Sequence, residues 1–465
     1  MHRPLIALLF TLGCGNAALI TVGEPPDAGT PDAGPPPATC GDGKLDPGEE
    51  CDWGGANAGG AGCEKSCRFS CSRSPDSCAQ GGDVCQGASA CTPVTSGSAL
   101  GQKCAAGAPL AACAPCGGGR VCLGGRCTAS ACGDACLDVG RGEQCDDGNV
   151  HNLDGCDSAC KVEQEQRIST MLLQFSTNGF CPNNAIGRSV GAQLQDAVQQ
   201  GIHGGIGDGS ITLAWQFLGL SDPTGAGNQS LRIGVLGGQP YSGPQYDGHR
   251  DLDWWYETDR SGVDGLRLPT ELLDASLSGG QLNAGPGNVT LSSNGVAGVL
   301  EMSSVRLTAH LDAPGAPGIG QGATPGHLIS EHIDPALAVI SSTSGGELCS
   351  DVVASSLRRL QLPPEISQTN CSEGYSPANS VLDLFVRGCT SYGIVKMIAP
   401  TQPDRVNPAA RPAGGGGPYR LYTGAGGIVN RCTDRLGATV DLATCLDAAA
   451  FSVFFKFGSG RVIMK

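Results

Sequence analysis

Eighteen cysteines lie between Cys40 and Cys160, while only 13 residues of that span are Val, Ile, Leu, Met, Phe, Trp or Tyr. So few large apolar side chains cannot offset the entropy of ordering the chain by burial alone. Cysteine at roughly one residue in seven marks a disulfide scaffold instead. Each bridge is worth about 2–4 kcal/mol, chiefly by restricting the unfolded chain. Six further cysteines lie between Cys181 and Cys445, and Cys14 stands apart near the start. Both larger groups are even, so two separately bridged bodies are expected. Cys113-x2-Cys116 and Cys156-x3-Cys160 also have the spacing of zinc ligands. An exported chain meets an oxidising compartment, however, where paired sulfurs are favoured.

Export is read from the first residues. Met1-His2-Arg3 carries a positive charge, Leu5 to Gly13 is a short apolar stretch, and Cys14 follows. This is the layout of a signal peptide and is too short to span a bilayer. Thr11-Leu12-Gly13-Cys14 is similar to a lipoprotein box, with Thr11 where Leu is usual, so residues 1–14 are expected to be a lipoprotein-type signal and Cys14 a lipidation site. Ordinary cleavage near Gly15-Asn16-Ala17, giving a secreted protein, is the alternative. Residues 15–39 form a linker rich in Pro, Gly and Asp, which favours an extended chain and cannot build a core. The net charge of −15 and pI near 4.8, with no basic run, argue against nucleic acid as a partner.

Two segments of the cysteine-rich region are alike. The first runs Cys40-Gly-Asp-Gly, Gly48-Glu-Glu-Cys51-Asp52 and Gly62-Cys63-x3-Cys67. The second runs Cys132-Gly-Asp, Gly142-Glu-Gln-Cys145-Asp146-Asp147-Gly148-Asn149, then Asp154-Gly155-Cys156-x3-Cys160-x2-Glu163. Both resemble the Myxococcus cysteine-rich repeat family of exported and surface proteins. The first departs from the pattern at Trp53-Gly54. The resemblance implies that Cys40, Cys51, Cys63 and Cys67 form one bridged set, and Cys132, Cys145, Cys156 and Cys160 another. Cys136 is then left to pair with one of the nine cysteines from Cys71 to Cys127. In the second repeat Asp146, Asp147, Asn149 and Asp154 place oxygen ligands in one loop, which suits calcium without matching an EF-hand. Turn-forming Asp, Asn and Gly between disulfides is the plainer explanation.

After Glu163 cysteine thins and period-two alternation appears: Met171/Leu173/Phe175, Ile211/Leu213/Trp215/Phe217, Leu231/Ile233/Val235, Val305/Leu307/Ala309/Leu311 and Phe451/Val453/Phe455/Phe457. Such runs between Gly- and Pro-rich turns predict half-buried antiparallel strands. Helices are expected after an N-cap at Ser376-Pro377, along the stripe Leu348, Val352, Val353, Leu357 and Leu360, and from Leu442 to Ala450 under an Asp441 cap. Cys349, Cys389 and Cys445 fall on or beside these segments and could staple them. The chain thus reads as multidomain: small disulfide-rich modules over 40–163, then a mainly β, sandwich-like domain over 167–465 with a few short helices.

Catalytic patterns are poor. His327-x3-Glu331-His332 has one residue too many for an inverted zinc-protease motif, and Ile333-Asp334-Pro335 breaks the helix it needs. Asp251-Leu252-Asp253-Trp254-Trp255-Tyr256 puts aromatic faces beside carboxylates, as a sugar platform would, although alternate residues there can equally be core. The expectation is a surface-displayed, lipid-anchored, non-enzymatic protein that binds cell-surface polysaccharide or protein and meets the membrane only through its anchor. A secreted polysaccharide hydrolase, with chemistry around His249, Asp251 and Asp253, and a structural envelope component are the alternatives.

Overall fold

The computed structural model describes residues 39–72, 78, 84–240, 254–259, 262–292, 299–315, 333–334, 336–362 and 371–464. Cys14, the linker up to residue 38, His249, Asp251, Asp253, and the His327, Glu331 and His332 group lie outside them. The chain divides into two compact units, Met1–Gly82 with Ala88–Gly107, and Asp83–Gly87 with Ala108–Lys465.

The first unit holds the first repeat, closed by nested bridges Cys40–Cys67 and Cys51–Cys63. An antiparallel hairpin follows, β1 (Ala90–Ser96) and β2 (Ala99–Ala105). Bridges Cys71–Cys91 and Cys78–Cys104 fix it. Trp53 lies half-buried against this hairpin and donates its indole N–H to Leu100 O at 3.3 Å. Gly101 permits the approach: a Cβ there would sit 2.3 Å from the indole ring.

The second unit opens with the hairpin β3 (Arg120–Leu123) and β4 (Arg126–Ala129), held by Cys85–Cys122, Cys113–Cys136 and Cys116–Cys127. The second repeat has the same nesting as the first, Cys132–Cys160 around Cys145–Cys156. Cys136 therefore pairs outward, as the repeat pattern implied. With Cys181–Cys349, Cys371–Cys389 and Cys432–Cys445, all 24 cysteines from Cys40 onward are bridged. Bridging on this scale belongs to an oxidising, extracytoplasmic setting.

The β domain follows without a linker, since β5 (Glu165–Leu173) starts two residues after the repeat's Glu163. Next come α1 (Ala185–Ser189), α2 (Ala192–Gly207), β6 (Leu213–Leu218), β7 (Gln229–Pro240), β8 (Trp254–Thr258), β9 (Glu271–Ser278), β10 (Gln281–Ser292), β11 (Val299–Leu311), β12 (Ser342–Val353), α3 (Ala354–Arg359), α4 (Val381–Arg387), β13 (Cys389–Ser391), β14 (Val395–Ile398), β15 (Arg405–Val406), β16 (Arg420–Thr423), β17 (Val429–Thr433), β18 (Thr439–Val440), α5 (Leu442–Ala448) and β19 (Ala449–Met464). Eight strands pair antiparallel in the order β5-β6-β7-β9-β10-β11-β12-β19, and β19 returns to β5. The sandwich-like body is thus a sheet closed on itself, an arrangement that leaves no unpaired edge in the ring. Alternating residues fill the interior: Leu213, Trp215 and Phe217 of β6, Leu231, Ile233 and Val235 of β7, and Val305, Leu307, Ala309 and Leu311 of β11 are all buried there. Trp215 meets Phe457 edge-on at 5.2 Å between ring centres, so the ring encloses a packed core.

The helices depart from expectation. The stripe beginning at Leu348 is strand up to Val353, because β12 zips to β19 from Ser342↔Gly460 to Val353↔Ala450; only its last turn and a half becomes α3. The cap of α4 is Ser380, which forms a capping box with Asp383, whereas Ser376 closes a turn with Asn379. Asp441 does cap α5 as expected, but the helix yields to β19 at Ala449. The longest helix, α2, went unpredicted.

Candidate functional site

The two repeats are the same device put to different uses, and the difference locates the site. In each, the aspartate after the second cysteine organises the fold. Asp146 accepts four backbone N–H bonds, from Gly133 and Asp134 on Oδ2 (2.9 and 3.2 Å) and from Ala135 and Gly148 on Oδ1 (both 2.9 Å). Asp52 does the same with Gly41, Asp42, Gly43 and Gly54. Glu49 and Glu143 each hold one backbone N–H, from Asp46 and Asp138. Both oxygens of Asp146, one of the four calcium candidates from the sequence, are thus taken up by backbone N–H groups.

The next residue is where the repeats part. Trp53 turns onto the β1–β2 hairpin, whereas Asp147 turns inward and meets Asp154. Both carboxylates are 5% exposed, and Asp147 Oδ2 and Asp154 Oδ1 have no hydrogen-bond partner. Burial, then the neighbouring Asp154 charge, pushes Asp147 up to about 7. Asp154 is raised by burial and by Glu163. Asn149 completes the loop: its N–H reaches Asp147 Oδ1, its Oδ1 accepts from His151 N at 2.7 Å, and its side chain hydrogen-bonds Asp154.

The loop is pressed onto the outer face of the barrel. Leu153 is fully buried with Ala214, Leu236, Tyr256, Val462 and Met464. Asn152 donates to Leu266 O and Arg267 donates to Leu153 O, both at 2.8 Å. Glu163 anchors the loop from below, accepting from the N–H groups of Leu153, Asp154 and Gly155 and from the Gln216 amide. Beside it, Glu165 is buried to the same depth as Arg167, and its Oε2 and the Gln216 Oε1 lack partners. Burial, followed by Glu163, raises Glu165 well above the usual carboxylate range. Four buried carboxylates, Asp147, Asp154, Glu163 and Glu165, thus lie where the second repeat meets the barrel.

Next to these carboxylates a cleft of about 390 Å³ opens, lined on the repeat side by Gln144, Asp157, Lys161 and Glu163 and on the barrel side by Gln216, Phe217, Leu218, Leu220 and Leu337. Amides and charges face apolar side chains across it.

The aromatic segment fares differently. Tyr256 is fully buried in β8, its ring 5.2 Å beneath the Arg167 guanidinium, and it cannot stack on a ligand. Trp254 and Trp255 are strand residues between β7 and β19, and their side chains lie outside what is described. Among the described residues, the compact trios of ligating type (Cys71/Cys78/Cys104, Cys85/Cys116/Cys127, Cys40/Glu49/Cys67, Cys371/Glu373/Cys389 and Glu143/Asp146/Cys160) all depend on disulfide sulfur, which offers no thiolate.

Glu165, Arg167, Gln216 and Arg267 were not singled out from sequence. The first three sit at alternate positions on paired strands, Glu165↔Gln216 and Arg167↔Ala214. The run Glu163-Gln-Glu165-Gln-Arg167 at a strand start was the available signal. No family model, curated protein or solved structure matches the chain.

Proposed function

We propose that the chain is a surface-displayed, non-enzymatic binding protein whose ligand, a cell-surface polysaccharide, enters the cleft between the second repeat and the barrel. The observation that supports this is the cleft's lining. Gln144, Asp157, Lys161 and Gln216 offer donors and acceptors opposite Leu218, Leu220 and Leu337, the combination that recognises a hydroxylated ligand with an apolar face. We read both bridged repeats as members of the Myxococcus cysteine-rich repeat family, and Cys14, the one cysteine left over from the twelve bridges, as the lipid-anchor site at the outer membrane.

A glycan array probed with the full chain tests the binding. Retention on one polysaccharide class, lost on filling the cleft with Ala338→Phe, is the expected result. Breakdown of that polymer on incubation would favour the hydrolase alternative. Cutting the chain at 167 would strip the repeat from the barrel face it covers, so the β domain alone is not the right probe.

A further inference from the structure

We propose that the second repeat binds one calcium ion between Asp147 and Asp154. The site is independent of the cleft and of what the cleft binds. Its geometry carries the proposal. Two buried carboxylates lie in hydrogen-bonding contact, yet neither supplies a donor when ionised. One oxygen of each, Asp147 Oδ2 and Asp154 Oδ1, is buried and receives no hydrogen bond from a donor group. Adjacent carboxylates removed from water require either a shared proton or a cation between them.

The donor chemistry selects the ion. Every cysteine nearby is bridged, and His151 is exposed, with its backbone N–H already committed to Asn149. Only carboxylate, amide and main-chain oxygens remain, which is the donor set of calcium in a site of adaptable geometry. Asp146 is excluded by its four backbone bonds. Glu163 is excluded by the four donors already on it. The first repeat supplies an internal contrast: Trp53, Gly55 and Ala61 stand where the second has Asp147, Asn149 and Asp154, so it binds no ion, and one site per chain is expected.

Calorimetric titration of the chelator-stripped full chain with calcium chloride tests this directly, alongside thermal melts with calcium or chelator. One site per chain is expected, with a rise in melting temperature of about 3 °C or more at saturation and a weaker response to magnesium. Asp147→Asn and Asp154→Asn, which keep side-chain shape, should each abolish both signals. If either variant is not secreted, the other and the wild-type titration still decide. No heat and no shift in the wild type would overturn the proposal, as would binding that survives in both variants.

Discussion

The two repeats share bridge nesting, a backbone-saturated aspartate and even a residue with positive φ before the third cysteine, yet one is nearly self-sufficient and the other is part of a larger core. At the matched position Gly60 has φ 72° and Leu153 has φ 58°. Glycine occupies that left-handed conformation freely; leucine does so at about 1–2 kcal/mol. The second repeat bears this cost because the leucine fills the outer core of the barrel. Likewise Ser70 caps Gly62 N–H in the first repeat, while Glu163 holds three N–H groups and the Gln216 amide in the second. A small disulfide module becomes a structural partner by changing the residues its bridges do not need.

The largest effect tests what the repeats share. Asp146→Ala leaves four N–H groups without their acceptor and should cost the second repeat about 3–5 kcal/mol. Hydrogen exchange over residues 133–160 would show it as lost protection, and Asp52→Ala should act in the same direction in the first repeat. If either repeat kept its protection, the claim that this carboxylate organises the loop would fail.

Next comes Leu153, where the repeats differ. Leu153→Ala should cost about 2–4 kcal/mol through the cavity left beside Tyr256 and Met464. Leu153→Gly removes still more side chain but relieves the left-handed backbone, so the two variants should differ by less than about 1 kcal/mol. A glycine variant far weaker than the alanine one would mean that the backbone at 153 is unstrained.

The counterpart in the first unit is smaller. Trp53→Ala uncovers Gly62 and Gly101 and removes the indole bond to Leu100 O, a loss of about 1.5 kcal/mol for a half-buried ring. Faster exchange at Gln102, whose N–H is bonded to Gly62 O, is the readout. Unchanged exchange there would show that the hairpin stands on its bridges alone.

How far the sequence reveals this follows from the range of each interaction. Cysteine parity and the repeat pattern gave the bridged sets and the outward pairing of Cys136, because those rest on local spacing. Alternation at Leu213/Trp215/Phe217 and Leu231/Ile233/Val235 identified strands for the same reason. Closure of the ring depends on β12 meeting β19 about a hundred residues later, which no local pattern encodes, and that pairing also turned the Leu348 stripe from helix to strand. Helix α2 hid behind its four glycines, although Leu194, Val198, Ile202 and Ile206 recur at intervals of four. In the acidic loop, composition could not tell Asp146, spent on the backbone, from Asp147, turned into the interior. That distinction is set by which N–H groups the nested bridges aim at each carboxylate.

The gentlest contrast is a slope with pH. Glu163 and Glu165 are both raised, chiefly by burial, while the matched Ser70 does not titrate in this range. The folded second unit therefore keeps protons that the unfolded chain releases above the ordinary carboxylate value of 4.5. Stability from this source is full below that value and declines as pH rises towards the raised folded values, since the unfolded state then binds fewer protons. Melts in chelator should show the second unit more stable at pH 5 than at pH 8. Glu165→Gln keeps the amide contact with Gln216 without the charge and should flatten the trend. Exchange in the first repeat should show no matching slope from that position. A second unit that gains stability from pH 5 to 8 would mean that the carboxylates are ionised in the fold, and that Arg167 and Arg267 compensate them more fully than their burial implies.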